Sequence, residues 1–159
     1  MTRRALAAAA VALSLLAPRV CRGQEAADEM GVGIYAGVPF GVTLKHLVDE
    51  RNAVAAAFGL QGSNLDFHCD ALTHFRDLPS QPAKGKVAPY LGLGLKIKAE
   101  HDTLYGIRFL GGASYAFLSK SLEFFAELAP VLRVSPGLGS CLDGGAGVRY
   151  YFRPLGSGR

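Results

Sequence analysis

Val87-Ala88-Pro89-Tyr90-Leu91-Gly92-Leu93-Gly94-Leu95-Lys96-Ile97-Lys98-Ala99 is the stretch that decides the fold. Val87, Pro89, Leu91, Leu93, Leu95, Ile97 and Ala99 fall on one face, and Ala88, Tyr90, Gly92, Gly94, Lys96 and Lys98 on the other. Alternation with period two is the mark of a β-strand with two unlike faces. The next stretch, Thr103–Phe117, repeats it: Tyr105, Ile107, Phe109, Ala113, Tyr115 and Phe117 lie opposite Gly106, Arg108, Leu110, Gly112 and Ser114. Working outward, the same pattern sets Leu122, Phe124, Ala126, Leu128, Pro130, Leu132 and Val134 against Glu123, Phe125, Glu127, Ala129, Val131 and Arg133. It also sets Leu65, Phe67, Cys69, Ala71 and Phe75 against Asp66, His68, Asp70 and His74. Near the C-terminus, Ala146, Val148, Tyr150 and Phe152 oppose Gly145, Gly147, Arg149 and Tyr151.

The full set of expected strands is Gly31–Val38, Gly41–Val48, Ala53–Leu60, Asn64–Phe75, Val87–Ala99, Thr103–Phe117, Leu122–Ser135 and Gly144–Phe152. Pro39 cannot donate to a sheet ladder, so it marks either the first hairpin or a kink in one longer strand. The first option gives eight strands and the second seven; bacterial membrane barrels of one chain use even numbers, which favours eight.

Before the strands comes a different kind of segment. Met1–Gly23 has a basic start (Arg3, Arg4), an apolar run from Ala5 to Ala17 and then Pro18 with small or basic residues. This is the tripartite pattern of a secretory signal peptide, too short to span a bilayer, and it leaves residues 24–159 as a single barrel domain. Removing Arg3, Arg4, Arg19 and Arg22 from the 17 basic residues leaves 13, against 13 acidic ones. The pI of 9.1 therefore belongs to the leader, and a nucleic-acid partner loses its electrostatic basis. With 50% hydrophobic and 19% charged residues over 159 positions, the chain is neither disordered nor a multidomain enzyme.

Alternation alone fits two inverse designs. A soluble periplasmic barrel of the lipocalin type buries its apolar face and binds a small apolar ligand there; a membrane barrel turns that face to lipid and its polar face to the lumen. Glycine decides between them. Gly92, Gly94, Gly106, Gly112, Gly145 and Gly147 all share the charged face, where a narrow barrel needs room for long Lys, Arg and Glu side chains. Tyr105 and Tyr115 share the apolar face at a spacing worth roughly 25 Å along a tilted barrel, about the height of a lipid-facing band. With Phe117, Tyr150 and Phe152 they are the expected aromatic girdle. The fold class is thus an all-β, eight-stranded, antiparallel up-and-down transmembrane β-barrel.

The runs Gly37–Lys45, His68–Phe75, Phe124–Leu132 and Gly144–Phe152 resemble an uncharacterised group of small bacterial outer-membrane barrels, themselves similar to the OmpA and OmpX class. The resemblance covers nearly all of the chain after the leader. The aromatic ending Val148–Phe152 is similar to the strand by which such barrels are recognised for insertion, although seven residues follow it here. The resemblance implies the outer membrane of a Gram-negative cell, contact with its lipid and with the barrel-insertion machinery, and a monomer. It implies no activity.

The chemistry expected of the polar face is a lumen charge network of Asp66, His68, Asp70, Lys96, Lys98, Arg108, Glu123, Glu127, Arg133 and Arg149, which fills the barrel and blocks ion flow. Asp66, His68 and Asp70 share a face, but the sequence offers no third ligand, so His68 reads as a hydrogen-bonded lumen histidine rather than a metal or catalytic centre. Ser114 points inward and has no evident His partner, and His46 reads as interfacial; this weakens the rival reading of a membrane-embedded lipid-modifying enzyme. No catalytic residue, cofactor or metal is expected. The role is structural or interaction-based, through loops such as Glu100–Asp102 and Pro136–Asp143. Cys69 and Cys141 are expected too far apart to pair, the latter in the last loop. With both termini on one side, the longest connector, Arg76–Lys86, falls on that same side, where turns are usually short.

Overall fold

Eight antiparallel strands pair in chain order and the last closes on the first, giving a closed barrel without a free edge. The computed structural model describes residues 30–76, 82, 85–117 and 121–152. The expected leader, most of the connector after Arg76, and the residues after Phe152 lie outside the described residues. The strands are β1 (Met30–Gly37), β2 (Phe40–Leu47), β3 (Asn52–Gln61), β4 (Asn64–His74), β5 (Gly85–Lys98), β6 (Leu104–Phe117), β7 (Leu122–Ser135) and β8 (Gly139–Phe152).

Pro39 sits in the turn between β1 and β2, so the first hairpin exists and the count is eight. The β3–β4 hairpin turns on Gly62, whose φ of 64° suits a residue without Cβ. Between β2 and β3 the Asp49 carboxylate closes the turn: Oδ1 accepts from the backbone N–H of Arg51 and of Asn52, each at 2.7 Å. An Asp side chain that captures N–H groups two and three residues on replaces the missing ladder bonds at a chain reversal.

The main departure from expectation is at β8. It begins at Gly139 rather than Gly144, because Arg133 to Leu128 of β7 pair with Gly139 to Gly144. The loop expected at Pro136–Asp143 shrinks accordingly, and Cys141 lies in a strand. Both Cys69 and Cys141 are free thiols. The strands are unequal: β5 to β8 have 14 residues each, whereas β1 and β2 have 8. At the end away from the termini, the β7–β8 hairpin therefore stands above the partners it would need to enclose a space: β1 ends opposite Gly145.

The outward face is apolar all round. Leu91 is 59% exposed, Leu93 53%, Phe109 46% and Leu128 62%, and Val32, Ile34, Val42, Leu44, Val54 and Phe58 join them on β1 to β3. Inside, the apolar content is small and split. One cluster is Ala53, Ala55, Leu72, Tyr90, Leu110 and Ala129; another is Tyr35, Ala57 and Phe125. The alanines of β3 and the interior glycines leave room for these rings. A Cβ on Gly112 would stand 2.7 Å from Tyr90 Cζ, and one on Gly147 would stand 2.6 Å from Phe125 Cζ. The glycines thus make space for aromatic rings as well as for the long charged side chains expected to need it.

Candidate functional site

Charged and polar side chains occupy the barrel interior in two groups. Near the termini, Lys45 Nζ donates to Glu123 Oε1 at 2.6 Å and to His74 Nε2 at 2.9 Å. His74 Nδ1 faces the Arg51 carbonyl at 3.2 Å, so the imidazole donates there and accepts from Lys45, which makes it the neutral tautomer protonated on Nδ1. Glu123 Oε2 accepts from Tyr151 at 2.5 Å and faces Arg149 at 3.6 Å. Arg149 also donates Nε and Nη2 to the Thr43 hydroxyl, and its guanidinium lies over the Phe125 ring, 3.6 Å from the centroid.

Toward the other end, Arg108 is the hub and is 0% exposed. It reaches Asp70 Oδ1 at 3.2 Å, Asp143 Oδ2 at 3.1 Å and Glu127 Oε1 at 3.4 Å. Lys96 Nζ bridges Asp66 at 2.7 Å and Asp143 at 2.5 Å. Glu127 accepts from two phenols, Tyr35 at 3.1 Å and Tyr90 at 2.9 Å. His68 is held less firmly: its Nε2 lies 3.6 Å from Asp70 Oδ2, and its Nδ1 has no partner.

Of the ten residues singled out from the sequence, Asp66, His68, Asp70, Lys96, Arg108, Glu123, Glu127 and Arg149 are buried in this interior. Lys98 and Arg133 are not. Both have inward parity, but they sit at the mouth, above the level that β1 and β2 reach. Lys98 pairs with Glu100 at 2.5 Å, and exposed Arg133 donates Nε to the Gly137 carbonyl at 3.0 Å. The Lys98 ammonium holds exposed Glu100 below the usual carboxylate range. Together with Gln61, Lys96, Leu104, Ser140 and Cys141, these three line a mouth pocket of about 180 Å³.

Sequence reasoning left out Tyr35, Thr43, Lys45 and Asp143 altogether, and it placed His74, Tyr90 and Tyr151 on the polar face without a role. Parity was available for most of them. Asp143 was hidden at the end of the run Pro136–Asp143, which reads as a loop. Ser114 faces inward and its hydroxyl is 3.4 Å from the Ala88 carbonyl.

The expected girdle residues divide unevenly between the two ends. Tyr115, Phe117, Tyr150 and Phe152 gather near the termini, where Tyr115–Phe117, Phe117–Phe124 and Tyr150–Phe152 make edge-on contacts at 4.8, 5.8 and 5.0 Å. Tyr105 lies alone of the five at the opposite end.

A closed eight-stranded antiparallel barrel with an ionic interior and an apolar exterior has the architecture of the OmpA-like barrels. The chain is similar in structure to the N-terminal β-barrel domain of Pseudomonas aeruginosa OprF, with a TM-score of 0.58 over 80% of this chain and 100% of that one, at 15% sequence identity. No family profile and no curated protein matches the sequence.

Proposed function

We propose that this chain is a small, monomeric, non-catalytic outer-membrane barrel. It would be exported by its leader, seated in the outer membrane by the insertion machinery, and act as an anchor or surface-interaction module through the loops away from its termini. The observation that carries this reading is the outer face. Leu, Val, Ile and Phe side chains lie outward on every strand and are roughly half exposed, far beyond the apolar patch of a few hundred Å² that a soluble monomer tolerates. Hydrocarbon is the solvent that suits such a surface, and a closed ladder is the β-structure that leaves no backbone group unpaired in it.

The interior supports the same reading. A lipocalin-like carrier needs an apolar cavity, whereas this interior is crossed by Arg108, Lys96 and their carboxylates. Such a plug leaves little bore for ions. A lipid-modifying enzyme needs its nucleophile turned to lipid, and Ser114 is turned away from it.

Membrane fractionation combined with gel migration before and after boiling tests the proposal. The expected result is recovery in the outer-membrane fraction with a faster-migrating band when unheated. Recovery in the soluble periplasmic fraction without detergent overturns it.

A further inference from the structure

The charges around Arg108 do not balance. Among the described residues, four buried carboxylates, Asp66, Asp70, Glu127 and Asp143, face two cations, Lys96 and Arg108. The group near the termini does not make up the deficit: Lys45 and Arg149 there face Glu123 and exceed it by one charge, on the far side of the Tyr90 and Phe125 rings. Two uncompensated negative charges inside a narrow barrel keep a desolvation penalty that nothing there repays. They need either protons or a cation.

We propose that this cluster binds a divalent transition cation of the zinc type, held by His68, Asp70 and Glu127. Three observations meet at this point. One donor atom from each of the three residues lies within 4.8 Å of the others. His68 is 97% buried, given its 3% exposure, and its Nδ1 has no partner while Nε2 faces Asp70. A cation of charge two brings the four carboxylates, Lys96 and Arg108 to neutrality.

The donor set selects the metal. An imidazole with two carboxylates suits zinc and its first-row neighbours better than calcium or magnesium, which prefer oxygen alone. In a tetrahedral zinc site, donors about 2.1 Å from the metal stand ~3.4 Å from one another. The His68–Asp70 separation of 3.6 Å is already close to that, and Glu127 completes the set by moving inward. Three protein ligands leave a fourth position for water.

Arg108 is the competitor for the same carboxylates, holding Asp70 through Oδ1 while Oδ2 faces His68. Its contacts with Asp70 and Glu127, at 3.2 and 3.4 Å, are longer than the ~2.8 Å of a strong charge-assisted bond. Its bond to Asp143 at 3.1 Å persists when the other two carboxylates turn to the metal. Tyr35 and Tyr90 would orient Glu127 from outside the coordination sphere. Lys96, the cross-strand neighbour of His68, also lines the mouth pocket and marks the route of entry.

The test uses the full chain, refolded in detergent, stripped with chelator and dialysed against zinc alone, with metal content measured per barrel. One equivalent is expected in the wild type, with affinity at least tenfold lower in His68→Gln and Glu127→Gln. The His46→Gln/His101→Gln double variant, which removes histidines outside the cluster, should keep full uptake. If His68→Gln fails to give the heat-modifiable band, cobalt replaces zinc in the wild type. An intense four-coordinate visible spectrum that zinc abolishes supports the site, and a weak six-coordinate spectrum overturns it. No zinc retained by the folded wild type, equal retention by folded His68→Gln, or loss in the double variant also overturns it.

Discussion

Arginine placed at successive outward positions of β5 measures the solvent around the barrel directly. Val87, Leu93 and Ile97 share the outward face of a 14-residue strand. At ~3.3 Å per residue and a tilt of about 40°, such a strand rises roughly 33 Å along the barrel axis, enough to cross a hydrocarbon core. Leu93 is the ninth residue of the strand, near mid-height, and is 53% exposed. In a bilayer, Leu93→Arg should cost about 2–4 kcal/mol, whereas Val87→Arg and Ile97→Arg should cost about 0–1 kcal/mol, because a charge near either interface reaches water. In water the substitutions at exposed Leu93 and Ile97 would both stay within about 0.5 kcal/mol of the wild type. The assay is reversible urea unfolding in lipid vesicles, with the unboiled and boiled gel bands reporting the folded fraction. A flat profile along β5, or a larger penalty at Ile97 than at Leu93, would refute the membrane reading.

Arg108→Met removes the cation shared by Asp70, Glu127 and Asp143 and leaves three buried carboxylates short of a partner; a loss of about 3–5 kcal/mol is expected in the same unfolding assay, and a loss below ~1 kcal/mol would contradict its place as the hub. Gly112→Ala puts a methyl 2.6 Å from the Ala126 carbonyl oxygen and 2.7 Å from Tyr90 Cζ, so it should cost about 1–3 kcal/mol by displacing the ring from Glu127; a neutral outcome would mean that the ring shifts freely. Asp49→Ala should loosen the exposed β2–β3 turn by less than about 1 kcal/mol. Hydrogen bonds from the Asn52 side chain and the Arg51 and Asn52 backbone hold the Asp49 carboxyl below its usual range. Its contribution is therefore complete above the unfolded value of about 3.9 and fades as the pH falls through the lower folded value, so wild type and variant should converge in acid. A difference that persists unchanged in acid would mean that the carboxylate's charge plays no part.

What the sequence made legible is what depends on neighbours two residues apart. Leu91, Leu93 and Leu95 declare one face of β5, and Gly94 and Lys96 declare the other, because a strand's side-chain period is a local property. That was enough for seven of the eight strands to within a few residues and for the direction of the charges. It failed at residues 139–143 of β8, where Pro136, Gly137, Gly139 and Ser140 read as a turn. There the strand is set by its partner: β7 supplies a ladder as far as Arg133, and the chain beyond Leu138 pairs with it whatever side chains it carries. The same limit governs the interior. Which inward residues meet is a matter of register between strands far apart in the chain, as in Tyr35 with Glu127 or Lys45 with Glu123. The third donor beside His68 and Asp70 is a case of this kind. Glu127 could be placed on an inward face from its own strand, but only the closure of the barrel, which carries β7 across from β4, brings its carboxylate within reach of the imidazole. Closure also explains why a chain whose residues 24–159 hold 13 basic and 13 acidic residues can carry an unbalanced cluster. Neutrality is a property of composition, whereas the local deficit arises from the height along the axis at which each carboxylate enters.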